Sequence, residues 1–136
     1  MLYALLCYGD ENVIASWSAE QDRAVMAHHM GVERALAAEG KMGPVVRLMF
    51  TTSATTVRGG REPLVIDGPF AETKEQLLGF YVVECASLDE AIGIASQLLH
   101  GSGTLEIRPI RYFSDLSNPR LQARHQRGDP RLSEDG

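Results

Sequence analysis

The first eight residues constrain the fold more than any other segment. Leu2, Ala4 and Leu6 alternate with Tyr3, Leu5 and Cys7, so a β-strand from Leu2 to Tyr8 carries apolar side chains on both faces. Such a strand has to be covered on both sides. Any sheet containing it needs helices on one face and a second layer on the other.

The rest of the chain supplies the first of those layers. After a loop from Gly9 to Trp17, Ser18 followed by Gln21 has the spacing of a capping box and opens a helix that runs to near Gly40. Val25, His29, Val32 and Leu36 recur at spacings of four, three and four, which places them on one buried face. His28 falls at the edge of that stripe, while Asp22, Arg23, Glu33 and Arg34 suit water. Ser87 and Glu90 form a second capping box before a helix whose buried stripe is expected at Ile92, Ala95 and Leu99, with Gly101 and Gly103 ending it.

Between and after the helices lie further strands, expected over Val45–Thr52, Leu78–Cys85 and Leu105–Tyr112. Thr55–Arg58 and Glu62–Ile66 flank Gly59-Gly60, the composition of a tight hairpin turn, and Pro63 points to an edge position because it cannot donate to a ladder. The order is β-α-β-hairpin-β-α-β. We therefore expect an α+β fold, a ferredoxin-like antiparallel sheet with two helices on one face. The other face, if bare, exposes more apolar surface than monomers tolerate, and a homodimer packed sheet to sheet is its simplest cover.

Composition narrows the function classes. With 136 residues, 44% hydrophobic and 23% charged, the chain suits a single core. A formal net charge of −5 argues against a phosphate-neutralising surface, so no nucleic-acid partner is expected. Cys7 and Cys85 sit inside apolar runs and match no metal or redox motif. The apolar start lacks a basic leader and runs into Gly9-Asp10-Glu11, unlike a signal peptide, and no stretch is long enough to span a membrane. A cytoplasmic protein is expected. No zinc spacing, phosphate-cradling loop or nucleophile elbow occurs, so neither metal nor cofactor is implied.

The most distinctive segment is Asp67-Gly68-Pro69-Phe70-Ala71-Glu72-Thr73-Lys74-Glu75, followed by Gly79-Phe80-Tyr81. It resembles the signature of the DGPF family within the YCII-related proteins. Ala54-Thr55-Thr56-Val57-Arg58, Ser87-Leu88-Asp89-Glu90-Ala91 and Glu106-Ile107-Arg108-Pro109-Ile110 follow that family's order and spacing. The resemblance covers about residues 1–113, and Leu78 departs from it where glycine is more usual. It implies a dimeric α+β barrel in which two sheets face each other, and a His-Asp pair in a cleft, but no established activity. Some members of that family are encoded beside extracytoplasmic-function sigma factors, which would make such a factor a partner. Residues 114–136 form a polar tail, partly helical or disordered, in which Asn118 is placed to cap a short helix with Pro119 at its first position.

Two residues stand out as catalytic candidates. Asp67 either accepts backbone hydrogen bonds in the Gly68-Pro69 turn or faces a cleft and pairs with His29 as an acid-base dyad. His29 is either a satisfied core histidine or the cleft partner of Asp67. Arg58 and Arg108 are candidates for gripping an anionic ligand, although Glu106 and Arg108, two apart on one strand face, suit an ion pair that needs none. Tyr81 offers a hydroxyl donor, and Trp17 either closes the cleft or packs beside the Ser18 cap. Two functions fit: a cofactor-independent enzyme acting on a small molecule through His29 and Asp67, or a non-catalytic ligand-binding or regulatory module.

Overall fold

The computed structural model describes residues 1–115, 117, 119, 120 and 123. The proposed Asn118 cap and Arg124, Arg127 and Arg131 of the tail lie outside the described residues. In chain order the elements are β1 (Leu2–Gly9), α1 (Glu11–Ala15), α2 (Ala19–Ala38), β2 (Met42–Arg47), β3 (Thr55–Arg58), β4 (Leu64–Asp67), β5 (Gln76–Glu84), α3 (Leu88–Leu98) and β6 (Thr104–Pro109). The main sheet has the order β2-β5-β1-β6, antiparallel throughout, and β3 and β4 form a separate two-stranded sheet. The fold is α+β. No helix among the described residues is long and apolar enough to cross a membrane.

β1 lies inside the sheet, between β5 and β6, and both of its apolar faces are covered. Tyr3 and Leu5 pack with Tyr81 and Val83 of β5 against Ala91, Ile94 and Leu98 of α3 and Val32 and Leu36 of α2. Both long helices therefore cover one face. On the opposite face Leu2 and Val82 pack with Phe80, and Ile110 and Phe113 fold back over them from the end of β6. The Ile110 N–H donates to Leu2 O at 2.9 Å, extending the β1–β6 pairing one residue past Pro109. Part of the second cover thus comes from the chain itself.

Local chemistry explains the helix starts. Ser18 Oγ accepts from Gln21 N–H and Gln21 Oε1 accepts from Ser18 N–H, a complete capping box; loss of such a cap costs about 1 kcal/mol. At α3 only half of the expected box forms. Ser87 Oγ accepts from Glu90 N–H, but the Glu90 carboxylate turns to Ala86 N–H and to the Lys41 ammonium at 2.5 Å, tying the helix start to the segment before β2.

Several boundaries shift from their sequence expectation. The loop after β1 contains α1, capped by Asp10, whose carboxylate accepts from Asn12 N–H at 2.9 Å. The strand expected over Val45–Thr52 begins earlier, at Met42, and stops at Arg47. The α3 stripe falls one residue off: Ala91, Ile94, Ala95 and Leu98 are buried, while Ile92 and Leu99 are exposed. A helix this short and apolar offers two adjacent stripes, and sheet contact selects between them. The hairpin turn is also longer than the two residues expected, because β4 starts after Pro63, at Leu64.

One glycine is dictated by a close approach. Gly79 faces Arg47 across the β5–β2 ladder, and a Cβ there would meet Val46 O at 2.1 Å and Arg47 Cα at 3.2 Å. Gly93, inside α3, has nothing within 4 Å of the place a Cβ would take. Gly79→Ala should therefore destabilise the fold by about 3 kcal/mol, whereas Gly93→Ala should stabilise it by about 0.5–1 kcal/mol. Urea unfolding of both variants checks the contrast; equal effects would contradict the close β2–β5 approach.

Candidate functional site

The cavity between α2, α1 and the β2 edge of the sheet collects the chemistry. Its sheet wall comes from Cys7, Val45 and Tyr81, and α2 contributes Val25, Met26, His29 and Glu33. Ile14 and Trp17 close it from α1 and the following turn, and Leu48, Phe50 and Leu78 from the far side. The cavity volume is about 120 Å³. Apolar cavities of this order hold a single small ring.

The elements that form the cavity are tied together by polar contacts. Glu11 accepts from Thr51 N–H at 2.7 Å and from the Thr51 hydroxyl at 2.8 Å, and Glu11 N–H donates to Gln76 Oε1 at 3.0 Å. These bonds join α1 to the segment after β2 and to the start of β5. Arg47 donates from Nη2 to Asp22 Oδ1 at 2.7 Å, which fastens β2 to α2. That pair holds the Asp22 carboxyl below its ordinary range, first through the hydrogen bond.

His29 is the centre of the site. Its Nε2 lies 3.1 Å from Leu98 O and its Nδ1 3.0 Å from the Tyr81 hydroxyl. A carbonyl oxygen only accepts, so Nε2 carries the proton and donates, and Nδ1 of the neutral ring accepts from the Tyr81 O–H. Half-burial lowers the His29 pKa, outweighing the bond to Leu98 O, with His28, His100 and Arg47 adding repulsion. The neutral tautomer is thus favoured twice, by geometry and by desolvation. Tyr81 is pushed well above the ordinary phenol range by burial, with Cys7 and Glu33 contributing. Burial pushes the Cys7 thiol up to about 11, so the cavity wall there is a neutral thiol.

The structure brings three of the six candidate residues together: His29, Tyr81 and Trp17 all line this cavity. Trp17 also packs edge-on against His100 with ring centroids 5.5 Å apart. Asp67 lies elsewhere, exposed at the end of β4 opposite Thr55. Within the chain no hydrogen bond joins it to His29, whose ring nitrogens bond Tyr81 and Leu98. Nor does its carboxylate close the following turn. Gly68, at φ 110°, donates its N–H to Ala54 O at 2.8 Å, and the Thr56 hydroxyl donates to Gly68 O at 2.7 Å. Arg58 is exposed at the end of β3, and Arg108, exposed on β6, lies 3.7 Å from the Glu106 carboxylate.

Sequence reasoning missed Glu33, Arg47 and Cys7 as cavity residues. Glu33 stands four residues after His29, so the helical period already puts it beside that ring; its charge alone had assigned it to water. Arg47 carried no comparable signal, because its position depends on β2 ending there.

A family model described as the YCII-related domain matches residues 1–114. The chain is also 51% identical over 117 residues to an uncharacterized protein of Rhizobium meliloti (strain 1021), covering 83% of this chain and 94% of that relative. The chain belongs to the YCII-related family.

The depressed His29 pKa has a consequence for stability. Because the folded-state pKa lies below the unfolded one, the unfolded state binds more protons between the two values. The His29 contribution is therefore complete above about pH 6.5 and is lost as pH falls from there through the folded pKa. Thermal melts between pH 5 and 8 should show native stability declining below about pH 6.5, with a shallower decline in His29→Gln; identical pH profiles would contradict the assignment.

Proposed function

We propose that this YCII-related protein binds a small, mainly apolar molecule in the Trp17–His29–Tyr81 cavity and moves a proton at it without a cofactor. The observation that carries this is the 3.0 Å contact from the Tyr81 hydroxyl to His29 Nδ1 on the wall of a ring-sized cavity. As the Tyr81 oxygen takes a proton from the bound molecule, the phenol passes its own proton to Nδ1. The imidazole becomes imidazolium, Tyr81 stays neutral, and the substrate holds the electron pair. Since desolvation makes the imidazolium unfavourable, the proton is readily returned. A proton removed at one atom and returned at another is an isomerisation or tautomer shift, and it needs no co-reactant. Asp67 enters this reaction only if a second copy of the chain brings it to the cavity.

A second copy fits the exposed apolar surface. Val57, Leu64 and Val65 of the β3–β4 hairpin are 64%, 56% and 66% exposed, and Phe70 just beyond it is 78% exposed. A two-stranded hairpin is marginal in water by itself. We assign it, with the face of the main sheet that carries Phe80 and Val82, to a homodimer interface, the arrangement of a dimeric α+β barrel. Light scattering should give twice the chain mass, and Val65→Glu with Phe70→Glu should halve it; a monomeric native protein would sink the dimer.

Trp17 is the chain's single tryptophan, so intrinsic fluorescence reports the cavity directly. Cyclohexanone, a single ring bearing a carbonyl, should change the emission saturably, and proton NMR in D₂O should show exchange beside the carbonyl faster than in buffer. Tyr81→Phe should slow that exchange by about 10²-fold or more while binding stays within a few-fold. Binding without exchange would leave a non-catalytic ligand-binding module; no saturable change would remove the cavity from the account.

A further inference from the structure

The polar groups of the cavity are unequal in what they still offer. The Tyr81 O–H is committed to His29 Nδ1, and the His29 Nε2–H to Leu98 O. Arg47 turns both Nη nitrogens to the Asp22 carboxylate, at 2.7 and 3.4 Å. The phenol and imidazole donors are thereby spent, while Arg47 keeps its Nε–H and one hydrogen on each Nη, and Trp17 its indole N–H. The acceptors on offer are the lone pairs of the Tyr81 oxygen and the carboxylate of Glu33, which forms no ion pair among the described residues. Counting Asp22, which pairs with Arg47 from outside the lining, the charges at and around the cavity sum to a net negative one, that of Glu33. The remaining walls, from Val25, Met26, Val45, Leu48, Phe50 and Leu78, are apolar.

We propose that the ligand is a small hydrophobic amine, a ring or chain of similar bulk carrying one ammonium group that donates to Glu33 and to the Tyr81 oxygen. A carboxylate of the same shape meets two acceptors and a like charge, and the arginine that would receive it is already charge-paired with Asp22. An alcohol satisfies one acceptor but leaves the Glu33 charge uncompensated. Trp17 and Tyr81 add aromatic rings, whose electron-rich faces suit a cation. This inference rests on the cavity being the binding site, and it specifies the class of molecule the site selects.

The test uses three molecules with one ring: cyclohexylamine, cyclohexanol and cyclohexanecarboxylate, titrated at pH 7.5 with Trp17 fluorescence and calorimetry. We expect the amine to bind about tenfold more tightly than the alcohol, the margin of a charge-assisted over a neutral hydrogen bond, and the carboxylate to bind most weakly. Glu33→Gln should bring amine and alcohol within about threefold of each other, chiefly by weakening the amine. Thermal melts establish that the variant is folded, and the ranking in the native protein stands as evidence even where it is not. Carboxylate binding equal to or tighter than amine binding overturns the proposal, as does an amine preference that survives Glu33→Gln. If the alcohol binds but the amine gains nothing, the amine class falls while the cavity reading stands; if none of the three binds, both fall.

Discussion

The hydrogen bonds of His29 hold the site together and set its chemistry. One side chain on α2 reaches the last turn of α3 through Leu98 O and the middle of the sheet through the Tyr81 hydroxyl. Next to it His28 Nε2 meets Gln97 O at 2.6 Å, so two consecutive histidines bind two consecutive carbonyls at the end of α3. Carbonyls at a helix C-terminus have no intrahelical partner, and side chains that donate to them remove a penalty the helix otherwise carries. The contact that joins the two helices also decides which ring nitrogen faces Tyr81.

That shared role explains how a mainly apolar cavity accommodates an imidazole. A charged imidazolium in the half-buried position of His29 would be disfavoured, and the neutral ring with its proton on Nε2 satisfies Leu98 and leaves a base at Nδ1. Tyr81 fills that acceptor, and its own oxygen is left with lone pairs. The Gly79 approach sets the geometry from the other side: without a Cβ, β5 comes close to the backbone of β2, which places Arg47 where it can meet Asp22. The Arg47–Asp22 contact is thus a consequence of strand packing rather than an independent addition.

Much of this architecture was legible in the sequence, because it follows from periodicity. The two-sided pattern of Leu2–Tyr8 demanded cover on both faces, and Leu5 packs in the cluster under the helices while Leu2 packs with Val82, Phe80, Ile110 and Phe113. The Val25, His29, Val32, Leu36 stripe turned His29 inward, and Ser18 with Gln21 placed the helix start within a residue. What failed were features decided by tertiary contact. The α3 stripe depends on which of two apolar rows meets the sheet, and α1 is a single capped turn with little periodic signal. Within the site, Tyr81, His29 and Trp17 were identifiable singly, but their meeting could not be read from spacing. The distinctive Asp67-Gly68-Pro69 segment drew attention to Asp67, whereas the turn it forms is closed by Gly68 and Thr56. Glu33 was read as solvated because charge is a stronger local signal than position beside a histidine one turn earlier.

The central claim is that His29 is a neutral imidazole with its proton on Nε2 and its Nδ1 accepting from Tyr81. Two-bond ¹⁵N–¹H correlation spectra of the protein labelled at histidine test this directly. At neutral pH the account predicts for His29 the pattern of an Nε2–H tautomer, with the Nδ1 resonance displaced in Tyr81→Phe as its donor is removed. An imidazolium at neutral pH, or a proton resident on Nδ1, would contradict the account.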